Sequence, residues 1–203
     1  LGERAVAEDF LSSGLTKVEG LALDWVAANL YWSDEGQQAI YAAPLSSPSL
    51  RRTVVQGNLS HPRALALHPE KGLLFWSDWA SVEEESDVSG TIGLASMSGE
   101  GRRLLVTSDL HWPNGLTVDM ENSLLYWCDT WVGRLERIGY DGQGRTTVYS
   151  SQPLSNRPYG LTLLHSTLYW TQYTAATVVS LDITTNTTSV LRQENPQLLE
   201  IKA

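Results

Sequence analysis

The sequence has little cysteine, little charge and no long hydrophobic run. Its single cysteine, Cys128, excludes an intrachain disulfide, so cysteine content does not identify the redox compartment. No apolar run reaches the roughly 18 residues that a membrane-spanning helix needs, and no signal-peptide pattern is present. Because the chain begins at Leu1 rather than at methionine, we expect a mature or excised segment.

Charged residues make up only 18% of the 203 residues, and 23 acidic residues face 14 basic ones. The net charge of -9 argues against nucleic-acid binding, which needs a basic surface, and favours basic partners. The chain is rich instead in tryptophan, tyrosine and glycine, at eight, eight and sixteen residues, which favours strands and turns over a helical bundle. Its length allows one large domain or two small ones.

An internal repeat of an aromatic-Trp-small-Asp tetrapeptide runs through the chain. It occurs at 31–34, 75–78, 126–129 and 169–172, at spacings of 44, 51 and 43 residues, with Gln172 replacing the last Asp. This period matches a four-stranded propeller blade of roughly 40 to 45 residues. A helical repeat is excluded because no segment between the motifs keeps a 3.6-residue apolar period.

Each repeat predicts four antiparallel strands, so the fold class is all-β. The innermost strand precedes the tetrapeptide, the tetrapeptide lies in the second strand, and a third and an outer strand follow. The predicted blades span approximately 18–57, 61–108, 112–150 and 157–192. An outer strand of a preceding blade is expected within 1–15, and a closing inner strand at 195–203.

Strand alternation places the first and third motif residues on one face of the blade and the Trp and Asp on the other. Both faces would then be buried against neighbouring blades, with a large aromatic ring on each. A buried Asp needs donors, and backbone N–H groups of its own or the adjacent blade are the expected ones. The motif residues are Tyr31, Trp32, Asp34, Phe75, Trp76, Asp78, Tyr126, Trp127, Asp129, Tyr169 and Trp170.

The tetrapeptides, with the stretch 62–67 and Trp112-Pro113-Asn114-Gly115-Leu116, resemble the YWTD six-bladed β-propeller of the low-density lipoprotein receptor family. The segments 18–27 and 75–79 are most similar to propellers of the large endocytic receptor-related proteins of that family. The resemblance covers nearly the whole chain. Since six blades need about 260 residues, it implies about four blades plus a closing strand of one incomplete ring.

The resemblance implies an extracellular ligand-binding and spacer module of a single-pass cell-surface receptor that cycles through endosomes. It also implies protein or peptide ligands, for which the net charge favours basic character, and a folding chaperone of the family. EGF-like and LDL-receptor class A modules are expected as neighbours. No enzymatic activity and no cofactor are expected in this domain, with calcium only in the neighbouring modules.

One face of a propeller gathers the loops that lead into the inner strands and the loops that leave the second strands. Aromatic residues and arginine are enriched in interface hot spots, and the family uses this face for its ligands. We therefore predict ligand binding by residues at equivalent positions of these loops: Arg63, Trp79, Asn114, Trp131, Tyr159 and Tyr173. Packing of Trp79 and Trp131 onto blade edges is the alternative.

Other candidate sites lie in loops. The long loop of the second repeat contains four acidic residues: Glu83, Glu84, Glu85 and Asp87. They would attract basic ligands, and the alternative is a loop that is simply solvated. Their spacing is not that of an EF-hand calcium loop. His61 and His111 precede prolines, and they are either solvated turn residues or a protonation switch that releases ligand at endosomal pH. Asn58 and Asn186 begin N-glycosylation acceptor sequences. Cys128 is expected to be a buried, unreactive thiol.

Two other functions remain open from the residues alone. A calcium-dependent propeller hydrolase needs carboxylates converging on the channel, and the inner strands offer only Asp24 and Asp119 near their ends. A non-catalytic scaffold of a matrix or signalling protein is the other alternative. The intracellular WD type of scaffold carries a Gly-His pair that this sequence lacks.

Overall fold

The computed structural model describes residues 9–79, 90–151, 156–172, 174–175 and 177–193. Within these residues, sixteen strands form four separate four-stranded sheets, and the helical elements are two 3-10 turns, Pro48–Leu50 and Pro69–Lys71. None of the described helical elements is long and apolar enough to cross a bilayer. The all-β prediction is confirmed. The predicted closing strand at 195–203 and the first eight residues lie outside the described part.

Each sheet is an antiparallel meander whose strands follow the chain order. The first sheet consists of β1 (Val18–Asp24), β2 (Asn29–Asp34), β3 (Ala39–Pro44) and β4 (Arg52–Gln56). The second consists of β5 (His61–His68), β6 (Leu73–Trp79), β7 (Gly90–Ser96) and β8 (Arg103–Val106). The third consists of β9 (Pro113–Asp119), β10 (Leu124–Asp129), β11 (Arg134–Gly139) and β12 (Thr146–Ser150). The fourth consists of β13 (Pro158–Leu164), β14 (Thr167–Gln172), β15 (Thr177–Asp182) and β16 (Thr187–Gln193).

The first strands of successive sheets contact one another, β1 with β5, β5 with β9, and β9 with β13. The four sheets are therefore successive blades of a propeller, here called blades 1 to 4, and their first strands face a common channel. The tetrapeptide lies in the second strand of every blade, as the repeat predicts.

Aromatic motif residues fill the spaces between blades. The first motif residue of one blade shares a buried cluster with the Trp of the next blade, in the pairs Tyr31 with Trp76, Phe75 with Trp127, and Tyr126 with Trp170. The predicted division of the motif between two blade faces is thus confirmed. Burial of each ring stabilises the fold by about 1.5–3 kcal/mol, so these pairs are the main apolar contacts between neighbouring blades.

The motif aspartates accept backbone hydrogen bonds from the segment that leads into the inner strand of their own blade. Asp34 accepts from the N–H groups of Thr16 (2.8 Å) and Lys17 (3.0 Å). Asp78 accepts from those of Ser60 (3.1 Å) and His61 (2.7 Å). This confirms the expectation that backbone donors satisfy the buried carboxylates.

The remaining two blades show the same arrangement and its exception. Asp129 accepts from the N–H groups of His111 (2.7 Å) and Trp112 (3.1 Å). In blade 4, Gln172 donates from its amide to the carbonyl of Asn156 at 3.5 Å, which replaces a charge-assisted bond with a weak neutral one. The carboxylate contacts are called the aspartate clasp below.

The third motif residue joins neighbouring blades. Ser33 Oγ accepts the N–H of Gly20 (2.9 Å) in its own blade and donates to the carbonyl of Arg63 (2.6 Å) in blade 2. Cys128 Sγ likewise accepts the N–H of Gly115 (3.1 Å) and donates to the carbonyl of Tyr159 (2.7 Å) in blade 4. Cys128 is buried, as expected, and its thiol has this structural role.

Close approach of the inner strands requires glycine beside these bridges. A Cβ atom at Gly20 would lie 2.1 Å from the carbonyl oxygen of Arg63, and one at Gly115 would lie 2.7 Å from that of Tyr159. Both distances are far below van der Waals contact, so a larger residue would push the adjacent blades apart. The backbones that carry Arg63 and Tyr159 are therefore fixed from the neighbouring blade.

Replacement of Cys128 tests the bridge. Cys128→Ser keeps a donor and an acceptor, as in the two repeats that have serine here, and we expect a change in unfolding free energy below about 1 kcal/mol. Cys128→Val removes both bonds at similar volume and should cost about 1–3 kcal/mol. Denaturant unfolding of the two variants measures the difference, and equal stability would contradict a structural role for the thiol.

Candidate ligand-binding surface

A β-bulge interrupts the beginning of every inner strand. The register between the first and second strands shifts in all four blades, across Val18–Gly20, Pro62–Leu65, Pro113–Gly115 and Pro158–Leu161. The residues at these irregularities include Glu19, Arg63, Asn114 and Tyr159, the equivalent positions that the repeat identifies. Because a bulge redirects a side chain out of the regular alternation, it can aim these residues at the channel mouth.

Arg63 is the centre of a contact network across the channel mouth. Its Nη2 lies 2.8 Å from Glu19 Oε2 in blade 1 and 3.1 Å from the hydroxyl of Tyr159 in blade 4. The guanidinium carbon lies 4.2 Å from the ring centroid of Trp79 in its own blade, within cation–π distance. One side chain thus joins three blades.

Three tryptophans continue the network towards blade 4. Trp79 stacks on Trp112 with ring centroids 5.5 Å apart and planes inclined by 13°. Trp112 meets Trp131 edge to face at 4.7 Å and 61°, and the guanidinium of Arg157 lies 5.3 Å from the ring of Trp131. The series Arg63, Trp79, Trp112, Trp131 and Arg157 is called the aromatic surface below.

The aromatic surface is partly open to solvent. Trp79 and Trp112 are half-buried, while 39% of Trp131 is exposed. The indole N–H of Trp79 donates to the carbonyl of Pro113 at 3.4 Å. Trp79 therefore packs on the neighbouring blade, as the packing alternative expects, and it also remains partly exposed, while ligand binding by it stays a prediction.

Buried polar groups beneath the surface hold it in place. A single oxygen of Asp129, Oδ1, accepts the backbone N–H groups of both Trp112 and Trp131 at 3.1 Å. Asn114 is only 6% exposed, and its amide donates to Thr130 Oγ1 (2.7 Å), which in turn donates to the carbonyl of Pro158 (2.6 Å). Asn114 thus supports the surface from below rather than lying on it.

Charges of both signs lie beside Arg63. Lys17 Nζ is 2.7 Å from Glu35 Oε1 and 3.4 Å from Glu19 Oε1. The hydrogen bond that the Lys17 amine donates to Glu35 raises the pKa of this amine, which is largely in solvent. In blade 2, burial raises the pKa of the Asp78 carboxyl, while the N–H groups of Ser60 and His61 oppose that rise.

The structure brings four of the six proposed binding residues into one network: Arg63, Trp79, Trp131 and Tyr159. Asn114 lies beneath it, whereas Tyr173 lies outside the described residues. The acidic residues Glu83, Glu84, Glu85 and Asp87 also lie outside them. Binding by these residues stays a prediction.

Sequence reasoning missed Trp112 and Arg157 as members of the surface. Both lie just before the inner strand, as Lys17 does in blade 1, and the equivalent residue in blade 2 is His61, the first residue of β5. The backbone N–H of this residue reaches the clasp carboxylate in the first three blades. A comparison of this third set of equivalent positions would have identified both residues.

The opposite end of the inner strands is apolar. A cavity of about 420 Å³ opens there, lined by residues that include Leu21, Leu23, Trp25, Leu65 and Val118. The two carboxylates considered for a hydrolase accept hydrogen bonds from the turns that follow them. Asp24 accepts the N–H groups of Val26 and Ala27 at 3.1 Å, and Asp119 accepts from the backbone and amide of Asn122. Their geometry gives the hydrolase alternative no support.

Comparisons with known proteins agree with this architecture. The family model described as low-density lipoprotein receptor repeat class B matches residues 28–69 and 72–120. The human low-density lipoprotein receptor-related protein 5-like protein is 30% identical over 197 residues, which cover 97% of this chain and 74% of that protein. The chain belongs to the YWTD propeller family of the low-density lipoprotein receptor.

Other relatives are much longer than this member of the YWTD family. Vitellogenin receptor Yl of Drosophila melanogaster is 37% identical over 177 residues, which are 87% of this chain and 8% of that receptor. Among solved structures, the nidogen/laminin complex aligns with a TM-score of 0.63 at 22% identity, covering 91% of this chain and 84% of that one. A luciferin-regenerating enzyme aligns with the same TM-score at 13% identity, covering 92% and 79%. These two likenesses show the fold alone.

Substitution of the carboxylate under the aromatic surface tests its support. Asp129→Asn replaces one carboxylate oxygen by an NH2 group, which cannot accept a hydrogen bond. Some of the backbone N–H groups that now donate to the carboxylate therefore lose their acceptor. We expect a loss of about 1.5–3 kcal/mol in unfolding free energy and a shifted tryptophan fluorescence spectrum. The control is Asp182→Asn at the end of β15, whose bonds to the N–H groups of Thr184 and Thr185 are exposed to solvent, and it should change stability by less than about 1 kcal/mol. Equal losses in the two variants would contradict the assignment.

Proposed function

We propose that this YWTD propeller is a ligand-binding and spacer module in the extracellular part of a cell-surface receptor. The names of the relatives, a vitellogenin receptor and a receptor-related protein, support this setting. On this proposal the module lies beside EGF-like and class A modules, depends on the chaperone of its family for folding, and cycles through endosomes. It binds protein or peptide ligands and performs no catalysis.

The aromatic surface is the observation that carries the proposal. It contains three tryptophans and two arginines, the residue types that dominate interface hot spots. It is held before a ligand arrives, because Trp79 stacks on Trp112 at 5.5 Å and Asp129 accepts the backbone N–H groups of Trp112 and Trp131. Preorganisation reduces the entropy lost on binding, so such a surface suits a protein or peptide ligand.

The charges next to the aromatic surface favour a ligand with basic residues. Glu19 and Glu35 lie at its blade 1 side, where the exposed amine of Lys17 bridges their mostly buried carboxylates. Because Lys17 reaches these carboxylates from solvent, a lysine or arginine of the ligand can replace it there. The net charge of -9 would attract the same ligands over longer distances.

Two tryptophan substitutions test the proposal. Peptides selected from a displayed library on the wild-type chain should bind Trp131→Ala roughly 30-fold more weakly, which corresponds to about 2 kcal/mol. The control is Trp25→Ala, because Trp25 is also exposed, at 54%, but lies at the apolar end of the channel.

The binding assay is run with thermal unfolding in parallel. Retained affinity in Trp131→Ala, or an equal loss in Trp25→Ala, would show that the peptides do not use the aromatic surface. Trp79→Ala is expected to weaken binding as well, but also to lower stability, because Trp79 packs on Trp112 and bonds to Pro113. Enrichment of lysine and arginine in the selected peptides would support the charge argument.

Release at endosomal pH is part of the proposal. His61 Nδ1 lies 3.1 Å from the carbonyl of Trp79. His111 Nδ1 lies 3.8 Å from Oδ2 of Asp129, whose other oxygen, Oδ1, accepts the backbone N–H groups of Trp112 and Trp131. Protonation of an imidazole between neutral and endosomal pH adds a charge at contacts that position the tryptophans.

A double variant tests the pH dependence. In wild type, selected peptides should bind more weakly at about pH 5.5 than at about pH 7.4, and His61→Ala/His111→Ala should reduce that ratio of affinities. His165→Asn is the control, since His165 lies in a β13–β14 turn with φ of 52°, a conformation that asparagine tolerates. An unchanged ratio in the double variant would eliminate these histidines as the switch.

A further inference from the structure

Asn58 and Asn186 each begin an Asn-x-Ser/Thr acceptor sequence, with Ser60 and Thr188 as the hydroxyl residues. Both asparagines are exposed, and both lie in connections between strands, β4–β5 and β15–β16. Both have positive φ, 50° and 55°, which asparagine tolerates better than most residues. The acceptor sequences thus coincide with turns that point an asparagine outward.

Blade 3 shows how the fold orients the position of Asn58. Asp109 is equivalent to Asn58, because each is followed by a buried leucine, Leu110 or Leu59, and then by the residue whose N–H reaches the aspartate clasp. Asp109 has φ of 49° and an exposed side chain. In both blades the leucine points into the core, so the residue before it faces solvent.

The turn at Asn58 is held through its backbone, which leaves the side-chain amide outside the contact. Arg102 donates to the carbonyl oxygens of Gln56, Gly57 and Asn58, the last at 2.9 Å. Arg145 holds the equivalent turn of blade 3 through the carbonyls of Ser108 and Asp109. A modification of the Asn58 amide therefore breaks none of these bonds.

The two blades differ in the side chain that stands beside this position. Asp109 is paired with Arg134, at 3.1 Å, and Arg134 stands opposite Asp129 in the sheet. The residue opposite Asp78 in blade 2 is Thr91, whose side chain is too short to make such a bridge. The arginine that pairs with this position in blade 3 thus has no counterpart at the matching sheet position of blade 2.

The position also borders the aromatic surface. Ser60, two residues after Asn58, bonds to Asp78, and His61 contacts the carbonyl of Trp79. A group attached to Asn58 would therefore stand at the margin of the surface on the side of blades 1 and 2. Asn186 lies at a hairpin between outer strands, away from this margin.

We propose that Asn58 and Asn186 carry N-linked glycans, and that the Asn58 glycan limits ligand access to the aromatic surface from the side of blades 1 and 2. The proposal rests on the extracellular location in the proposed function, since N-glycosylation requires passage through the secretory pathway.

The test is secretion of this chain from insect or mammalian cells, followed by release of glycans with peptide-N-glycosidase in heavy-oxygen water. Conversion of Asn58 and Asn186 to labelled aspartate, read by peptide mass spectrometry, is the expected result. Ser60→Ala should remove the Asn58 glycan and Ser60→Thr should keep it, while both retain the backbone bonds of Ser60 to Asp78. Thr188→Ala and Thr188→Ser form the same pair for Asn186.

A secreted, folded chain with unmodified Asn58 would overturn the proposal. Peptides selected on glycan-free protein serve as the probe for limited access to the aromatic surface. When these peptides are fused to a large carrier protein, they should bind Ser60→Ala several-fold more tightly than Ser60→Thr. Equal binding would contradict the access effect. Binding of free peptides to glycan-free protein tests the proposed function separately, so either idea can fail while the other stands.

Discussion

The bond between the motif aspartate and the backbone before the inner strand is the contact on which the rest of the structure depends. In blades 1 to 3 it fixes the end of the second strand to the beginning of the first, always at the same end of the blade. A carboxylate can accept several N–H groups at once, and in blade 3 Asp129 accepts four, those of His111, Trp112, Trp131 and Val132. A blade without this clasp would still bury its aromatics, but its loops at the channel mouth would lose their common attachment.

The aromatic surface follows from repetition of this contact around the channel. Each clasp holds two residues at the entry to the inner strand, and those of blades 1 and 3 also hold residues after the second strand. Neighbouring blades bring these positions together. The bridges from Ser33 to Arg63 and from Cys128 to Tyr159 fix the relative height of the blades. Side chains from three blades can therefore meet at Arg63 with distances near 3 Å, although they are far apart in sequence. The scaffold is common to all repeats, while the residues at the held positions differ and give the surface its chemistry.

The sequence allowed prediction of the fold because the repeat constrains it four times. A period near 43 residues, an aromatic on each blade face and an aspartate that needs donors all agree with one architecture. The site was harder to predict. The equivalent positions included Arg63, Trp79, Trp131 and Tyr159, which the structure brings into one contact network. Side-chain direction depends on the bulges, which leave no clear signal in a single sequence. Asn114 is directed inward to Thr130 for that reason. Trp112 and Arg157 were missed because the position just before the proline of the inner strand was not compared across the repeats.

The central claim is that the clasp end of the blades, and not the apolar end of the channel, receives the ligand. Hydrogen–deuterium exchange of this chain with and without a library-selected peptide tests it most directly. We predict slower exchange on peptide binding at 61–64, 111–115, 129–132 and 157–160, with no change at 21–30 or 118–124. Protection confined to the latter two segments, which surround the apolar cavity, would contradict the account.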